Sequence, residues 1–270
     1  MEAHVGWVQL IANKLFGKLA LALLAALHIQ PSNPQFPIPN HVATEFLVFG
    51  VSAVFFLWLK SRISVESPGA TQQCMEMVLT NPVGVGVRDL LDDNVGHGSG
   101  KYLAMIGSVG IFVLLCNLIS LIPSLESPTA EVSVPLGCAT VVFLYYNWCG
   151  IAKKGVLGYG KVFLGPILWM SIIMLPIEII SNLARLLSLT VRLWVNMFVS
   201  ELLYGIFLGL LLQLFLFLGG LNVVGYISAV LPFIVPPAFM GLHMFVAVLQ
   251  AFVFTILPII YLSGAVAEEH

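Results

Sequence analysis

Between Ile167 and Leu218 the chain is almost wholly apolar, yet side chains able to hold a charge or handle a proton recur through it at helical spacing. At about 100° per residue, Glu178, Ser181, Arg185, Ser188, Arg192 and Asn196 fall within about 40° either side of one line and form a single polar stripe. Arg192 is the most demanding of them. A guanidinium at a bilayer centre costs about 2.5 to 3.5 kcal/mol on insertion scales, so it is expected to face a bundle interior, a partner charge or a water-filled path. Glu201 points to about the opposite face of the helix from Arg192 and cannot simply neutralise it there. In the last apolar stretch His243 and Gln250 lie two turns apart on one face. Polar and titratable groups in two separate places are what a divided ion path needs.

Structural readings stand beside the chemical ones. Serine and asparagine bond across helix interfaces in membranes, which suits Ser181 and Ser188 as well as a role in ion passage does. Glu178 and Arg185 also suit an ion pair anchoring a helix end. His243, taken alone, is more often a satisfied buried histidine than a proton relay. For Arg192 the structural reading has to explain a permanent charge deep in an apolar span.

Composition fixes the elements that must carry these residues. The 270 residues are 59% hydrophobic and only 9% charged, with a mean hydropathy of +1.01, which describes an all-α polytopic membrane protein. A span needs about 20 apolar residues, leaving room for about five membrane helices. Residues 1–41 are expected to form an N-terminal amphipathic helix, with Trp7, Leu10, Ile11, Leu15 and Leu19 at helical spacing, and a proline-rich linker, Gln30-PSNPQFPIP. Lys14 and Lys18 before Leu19-ALALLAALHI imitate a signal peptide, a reading the helical spacing argues against. Residues 42–270 form one membrane domain. Within it, residues 42–62 hold the first crossing, residues 63–101 a cytoplasmic surface segment and residues 102–154 two further crossings. Residues 162–267 are two long apolar stretches, interrupted by Gly219-GLNVVG, Pro232 and Pro236-Pro237, that fold as a strongly tilted helical hairpin. Lys60 with Arg62, and Lys153 with Lys154, follow the first and third crossings, whereas Glu126 and Glu131 follow the second. The positive-inside rule then puts the N-terminus outside and the C-terminus in the cytoplasm.

Several classes are excluded. With 11 Lys and Arg and a net charge of −2 there is no basic run, hence no nucleic-acid partner. Cys74, Cys116, Cys138 and Cys149 have no CxxC spacing, so neither a metal site nor a disulfide framework is expected. HExxH and GxSxG are missing, and Gly84-Val85-Gly86 is a GxG with no following GK[ST], read as a turn. No catalytic residue and no cofactor are expected.

Four segments together resemble the a-subunit family of the membrane sector of rotary F-type ATP synthases: Asn117-LISLIPSLESPTAE, Pro176-IEIISNLARL, Ser188-LTVRLWVNMFVSEL and His243-MFVAVLQAFVFTILPIIYLSGAVAEEH. The resemblance implies a non-catalytic stator subunit coupling proton translocation to ATP synthesis. Its partners would be the rotating c-subunit ring, the b-subunit peripheral stalk, other ATP synthase subunits and the lipid bilayer. It implies that Arg192 is the family's essential arginine and that Glu201, Asn196, His243 and Gln250 line the proton pathway, Glu201 and His243 near its inlet. Glu178 and Ser188 match positions around the cytoplasmic route and the arginine face, and Arg185 a second basic position where relatives often have lysine. Two departures matter. Ser120 stands where some bacterial relatives carry an aspartate, so it receives no proton-transfer role, and Trp194-Val195 replaces a commoner Phe-Gly. A bacterial plasma or inner membrane is the expected location.

Two other classes fit less well. A secondary transporter uses intramembrane charges and broken helices too, but the two halves of this chain show no corresponding pair of Gly/Pro-interrupted segments. A membrane-embedded hydrolase or transferase would need a nucleophile or metal motif that the sequence lacks.

Overall fold

The computed structural model describes residues 6–26, 28, 33, 35–64, 68–79, 86–96, 98–122, 125–164, 171–218 and 222–266, the side chains of 74, 78, 161–164, 215–218 and 222–233 excepted. All regular structure among them is helical: α1 (Trp7–Ala26), α2 (Asn40–Ser61), α3 (Ala70–Leu79), α4 (Val87–Val95), α5 (Gly100–Leu118), α6 (Ser133–Leu164), α7 (Ser171–Leu218) and α8 (Asn222–Val266), with 3-10 turns at Ile119–Leu121 and Pro128–Ala130. Among the described residues six helices are long and apolar enough to cross a membrane. One of them is α1, the helix that its residue spacing assigned to the interface. Hydrocarbon offers no hydrogen-bond partner to an open backbone, which is why helices are the form these apolar runs take. Large apolar side chains such as Phe46, Leu57, Leu144, Trp148, Ile172 and Phe245 stand exposed along them, a surface suited to acyl chains rather than water.

The chain divides into two compact units, residues 1–50, 114–131 and 194–250 in one and residues 51–113, 132–193 and 251–270 in the other. In the first unit, Val8 on α1, Ala43 on α2 and Leu125 form a small core with Ala12, Ile38, Leu47 and Ile119 packed on it. Asn13 holds the linker to α1 by treating it as a strand: its side-chain amide donates to the Ile38 carbonyl at 2.9 Å and accepts from the Ile38 N–H at 2.9 Å. Helix α2 starts where Pro39 offers its carbonyl to the Ala43 N–H, at 3.1 Å. In the second unit, Leu193, Phe254, Ile259 and Leu262 are all but sealed from solvent. The segment over 63–101 contains two short helices, α3 and α4.

Two features depart from the sequence reading. Helix α8 runs unbroken through Pro232, Pro236 and Pro237, residues expected to interrupt it. Each proline deletes one backbone hydrogen bond, but unwinding the turn inside an apolar span would strand more. Conversely, α6 does not end after Lys154 but turns sharply at Gly155 (φ 73°, ψ 164°) and resumes as helix. Tyr159 then packs back on Gly150, where a Cβ would collide with its ring. Of the break expected over Gly219-GLNVVG, residues 222–225 instead open α8, while residues 219–221 and the tail Glu268-Glu269-His270 lie outside the described residues.

That backbone conformation at Gly155 is open to glycine and strained for any other residue, by about 1 to 3 kcal/mol. Gly155→Ala is therefore expected to lower the thermal denaturation midpoint of the purified protein in detergent. Gly160→Ala, in a helical stretch with open space around the added methyl, should leave the midpoint unchanged or raise it.

Candidate functional site

Helix α5 ends in a polar turn because its last residues have to satisfy carbonyls that no further helical turn can reach. Asn117 is completely buried there. Its amide nitrogen donates to the Ala247 carbonyl on α8 at 3.3 Å, and its Oδ1 accepts from the Thr129 hydroxyl at 2.6 Å. Ser127 completes the latch, its hydroxyl donating to the Cys116 carbonyl at 2.9 Å and lying 2.7 Å from Thr129 Oγ1. Held this way, the segment presents the Ser127 backbone N–H to Glu201 Oε1 on α7, at 2.8 Å.

Three residues along from Asn117, Ser120 donates to the Asn117 carbonyl at 2.9 Å and lies 2.8 Å from His243 Nε2 on α8. Ser120, Glu126, Glu201, Tyr204, Met240 and His243 line a cavity of about 280 Å³, roomy enough for several water molecules. Glu126 at its rim also accepts from Asn40 Nδ2, at 3.0 Å. Two turns along α8 from His243, the buried Gln250 accepts from Asn196 Nδ2 at 2.8 Å. A carboxylate, an imidazole and two amides are thus fixed by groups of the same unit. The cavity joins the first two.

The second unit holds a separate polar cluster. The Tyr146 hydroxyl donates to Asn182 Oδ1 at 2.5 Å, and Asn147 Oδ1 accepts from both Tyr159, at 2.9 Å, and Asn182 Nδ2, at 3.1 Å. The fold-back at Gly155 is what delivers Tyr159 to this cluster. Arg185 lies over the Tyr261 ring, 5.4 Å from its centroid, with Glu178 at 3.8 Å. Both charged side chains are about one-third exposed, and such half-open pairs contribute little, about 0 to 1 kcal/mol. At the end of α8, Lys153 Nζ caps the Val266 carbonyl at 3.0 Å, the favoured place for a cation.

Arg192 belongs to neither cluster. It is exposed on α7 beside the buried Leu189 and Leu193, and among the described residues it has no hydrogen-bond or ion-pair partner. Ser188, one turn earlier, is exposed as well. The stripe seen in the sequence therefore divides in use: Glu178 and Arg185 face each other, Asn196 reaches Gln250, and Ser188 and Arg192 stay open. Asn117, Ser127, Thr129, Tyr146, Asn147 and Asn182 were not singled out by spacing. The signal for the first three was their place in Asn117-LISLIPSLESPTAE, a segment rich in Asn, Ser, Pro and Thr after an apolar run and one of those carrying the family resemblance. Ser120, given no role on its residue type, lies directly against His243. Among the described residues no group of three or more His, Cys, Asp or Glu side chains is disposed to hold a metal.

Long apolar helices with a carboxylate, an imidazole and a guanidinium placed within them define a multi-span membrane protein built to keep polar chemistry inside a lipid layer. A family model described as ATP synthase A chain matches residues 42–263. The chain is 36% identical over 267 residues, 99% of both chains, to ATP synthase subunit a of Koribacter versatilis. It is 38% identical over 234 residues, 87% of this chain and 90% of the relative, to ATP synthase subunit a of Solibacter usitatus. It is 35% identical over 256 residues, 95% of this chain and 98% of the relative, to ATP synthase subunit a 3 of Pelobacter propionicus. The chain belongs to the ATP synthase A chain family.

Removing the Thr129 hydroxyl without changing the side chain's shape isolates the latch. Thr129→Val leaves Asn117 Oδ1 buried without its donor, a defect of about 1 to 3 kcal/mol. A lowered denaturation midpoint in detergent is expected, with Thr129→Ser restoring it. An unchanged midpoint in the valine variant would mean the latch does not hold the segment.

Proposed function

We propose that this chain is the stator subunit against which the c-subunit ring of a rotary ATP synthase turns, and that protons cross only by riding the ring's carboxylates past Arg192. One observation carries the reading: Arg192 is an exposed cation without a partner among the described residues, on a helix whose neighbouring exposed side chains, Leu187, Val191 and Val195, are apolar. A charge left so on a membrane helix calls for an anionic counterpart from outside the chain. A ring carboxylate meets that need.

The electrostatics suit the task. At about 4 Å and an effective dielectric near 20, two unit charges attract by about 4 kcal/mol, enough to favour the ionised carboxylate as it passes without locking the rotor in place. A guanidinium stays charged where a desolvated lysine could shed its proton, so the barrier does not switch off. The Glu201 and His243 cavity serves as the water-accessible inlet from outside, with Asn196 and Gln250 as its inner polar lining. Glu178, with Arg185 and Ser188, serves the cytoplasmic outlet. Arg192 falls between Glu201 and Glu178 in order along α7, and its charge repels a hydrated proton that would short-circuit the two. Each proton passing through about 100 mV releases about 2.3 kcal/mol, so several must cross per nucleotide made. The nucleotide chemistry belongs to other subunits, and the b-subunit stalk would hold this chain against rotation.

The cation clusters supply the orientation. Lys60 with Arg62 and Lys153 with Lys154 are taken as the cytoplasmic side, and the Lys153 contact to the end of α8 supports putting the C-terminal end of that helix there too. The N-terminus is then outside, in a bacterial plasma or inner membrane.

Inverted vesicles carrying Arg192→Ala are expected to lose ATP-driven acidification while the complex stays assembled, and their passive proton permeability should rise. Normal coupled pumping in that variant would sink the mechanism. Glu201→Gln should give the contrasting pattern, pumping strongly reduced with no added leak, because it removes a proton carrier and leaves the barrier in place.

A further inference from the structure

The hydrogen bonds around His243 decide which of its ring nitrogens holds the proton. Ser120 has one hydroxyl hydrogen and two neighbours: the Asn117 carbonyl at 2.9 Å and His243 Nε2 at 2.8 Å. A backbone carbonyl can only accept. Both contacts are hydrogen bonds at once only if the Ser120 hydrogen goes to Asn117 and Nε2 carries hydrogen and donates to Ser120 Oγ. A histidine protonated on Nδ1 alone would leave one of the two short contacts without a hydrogen.

We infer that Ser120 is a positioning residue that holds neutral His243 as its Nε2–H tautomer, leaving Nδ1 as the nitrogen that takes up a proton. The assignment deepens the proposed inlet and rests on that reading for its consequence in transport. The support behind Ser120 is rigid. The carbonyl it binds belongs to Asn117, whose side chain is tied to Ala247 on α8, one helical turn from His243. Acceptor and imidazole are thus braced against each other. His243 is 9% exposed and lines the 280 Å³ cavity with Glu201. Nδ1 has no hydrogen-bond partner among the described residues. The same arrangement keeps Ser120 out of the relay: a carbonyl cannot pass a proton onward, so the hydroxyl orients the imidazole without conducting.

The test reads the tautomer directly, by nitrogen-15 solid-state NMR of the histidine-labelled complex in lipid, with His243 assigned by its loss in His243→Gln. Protonated Nε2 and unprotonated Nδ1 are expected for neutral His243 in the unaltered complex. A neutral ring protonated on Nδ1 would overturn the inference, whatever any variant does. In Ser120→Ala the Nδ1–H form should become populated. Acid–base groups of this kind contribute about 10²- to 10⁴-fold, so ATP-driven pumping should fall at least about tenfold, with Ser120→Thr restoring both readouts. An unchanged spectrum in Ser120→Ala, or altered tautomers with undiminished pumping, would equally overturn it. Coupled pumping by Arg192→Ala would instead remove the proposed function and leave the tautomer result standing.

Discussion

A polar group enclosed among membrane helices has only the protein, or water trapped with it, to bond with, and leaving it unmet costs several kilocalories per mole. The site in the first unit is organised by that demand. Asn117 has its amide nitrogen on one helix and its amide oxygen on a loop hydroxyl, and its own carbonyl takes a third bond, from Ser120. Every later contact depends on these. Without them the segment around Ser127 would have no fixed place from which to donate to Glu201.

Arg192 obeys the same rule by the opposite route. Glu201 and Gln250 are met within their own unit, whereas Arg192 is exposed with no partner among the described residues. A guanidinium cannot neutralise itself as a carboxylic acid can. Among the described residues the charge is left unmet, and in the proposed function its counterpart comes from another subunit of the assembly that the ATP synthase A chain family names. In the proposed function, this asymmetry separates residues that prepare a path from the one that meets a moving partner.

The class of fold was legible because it depends on sums. Long apolar runs with few charges specify membrane helices whatever their neighbours are, and α2, α5, α7 and α8 follow those runs closely. Periodicity also put His243 and Gln250 on one face, and both are buried. Local features that depend on one residue's surroundings were not legible. The prolines of α8 looked like breaks because sequence alone does not state how few alternatives an apolar span leaves to the backbone. Gly155 followed two lysines and passed for the end of a crossing. The polar pairings were hidden for a further reason: Ser127 meets Glu201 across 74 residues and Asn117 meets Ala247 across 130. A lone asparagine in an apolar run carries no periodic signal that announces such a partner.

The bond from Ser127 to Glu201 comes from the main chain, and Ser120 likewise leans on a main-chain carbonyl. The main-chain groups make these bonds, and the side chains of Ser127 and Asn117 hold those groups in place. Asn196 and Gln250 meet side chain to side chain, so neither is free to drift alone. Over evolutionary time position 127 should keep a hydroxyl side chain, which ties the segment to Cys116, while 196 and 250 should change as a pair. The site thus combines a part where one kind of side chain is kept with a part where one replacement requires another.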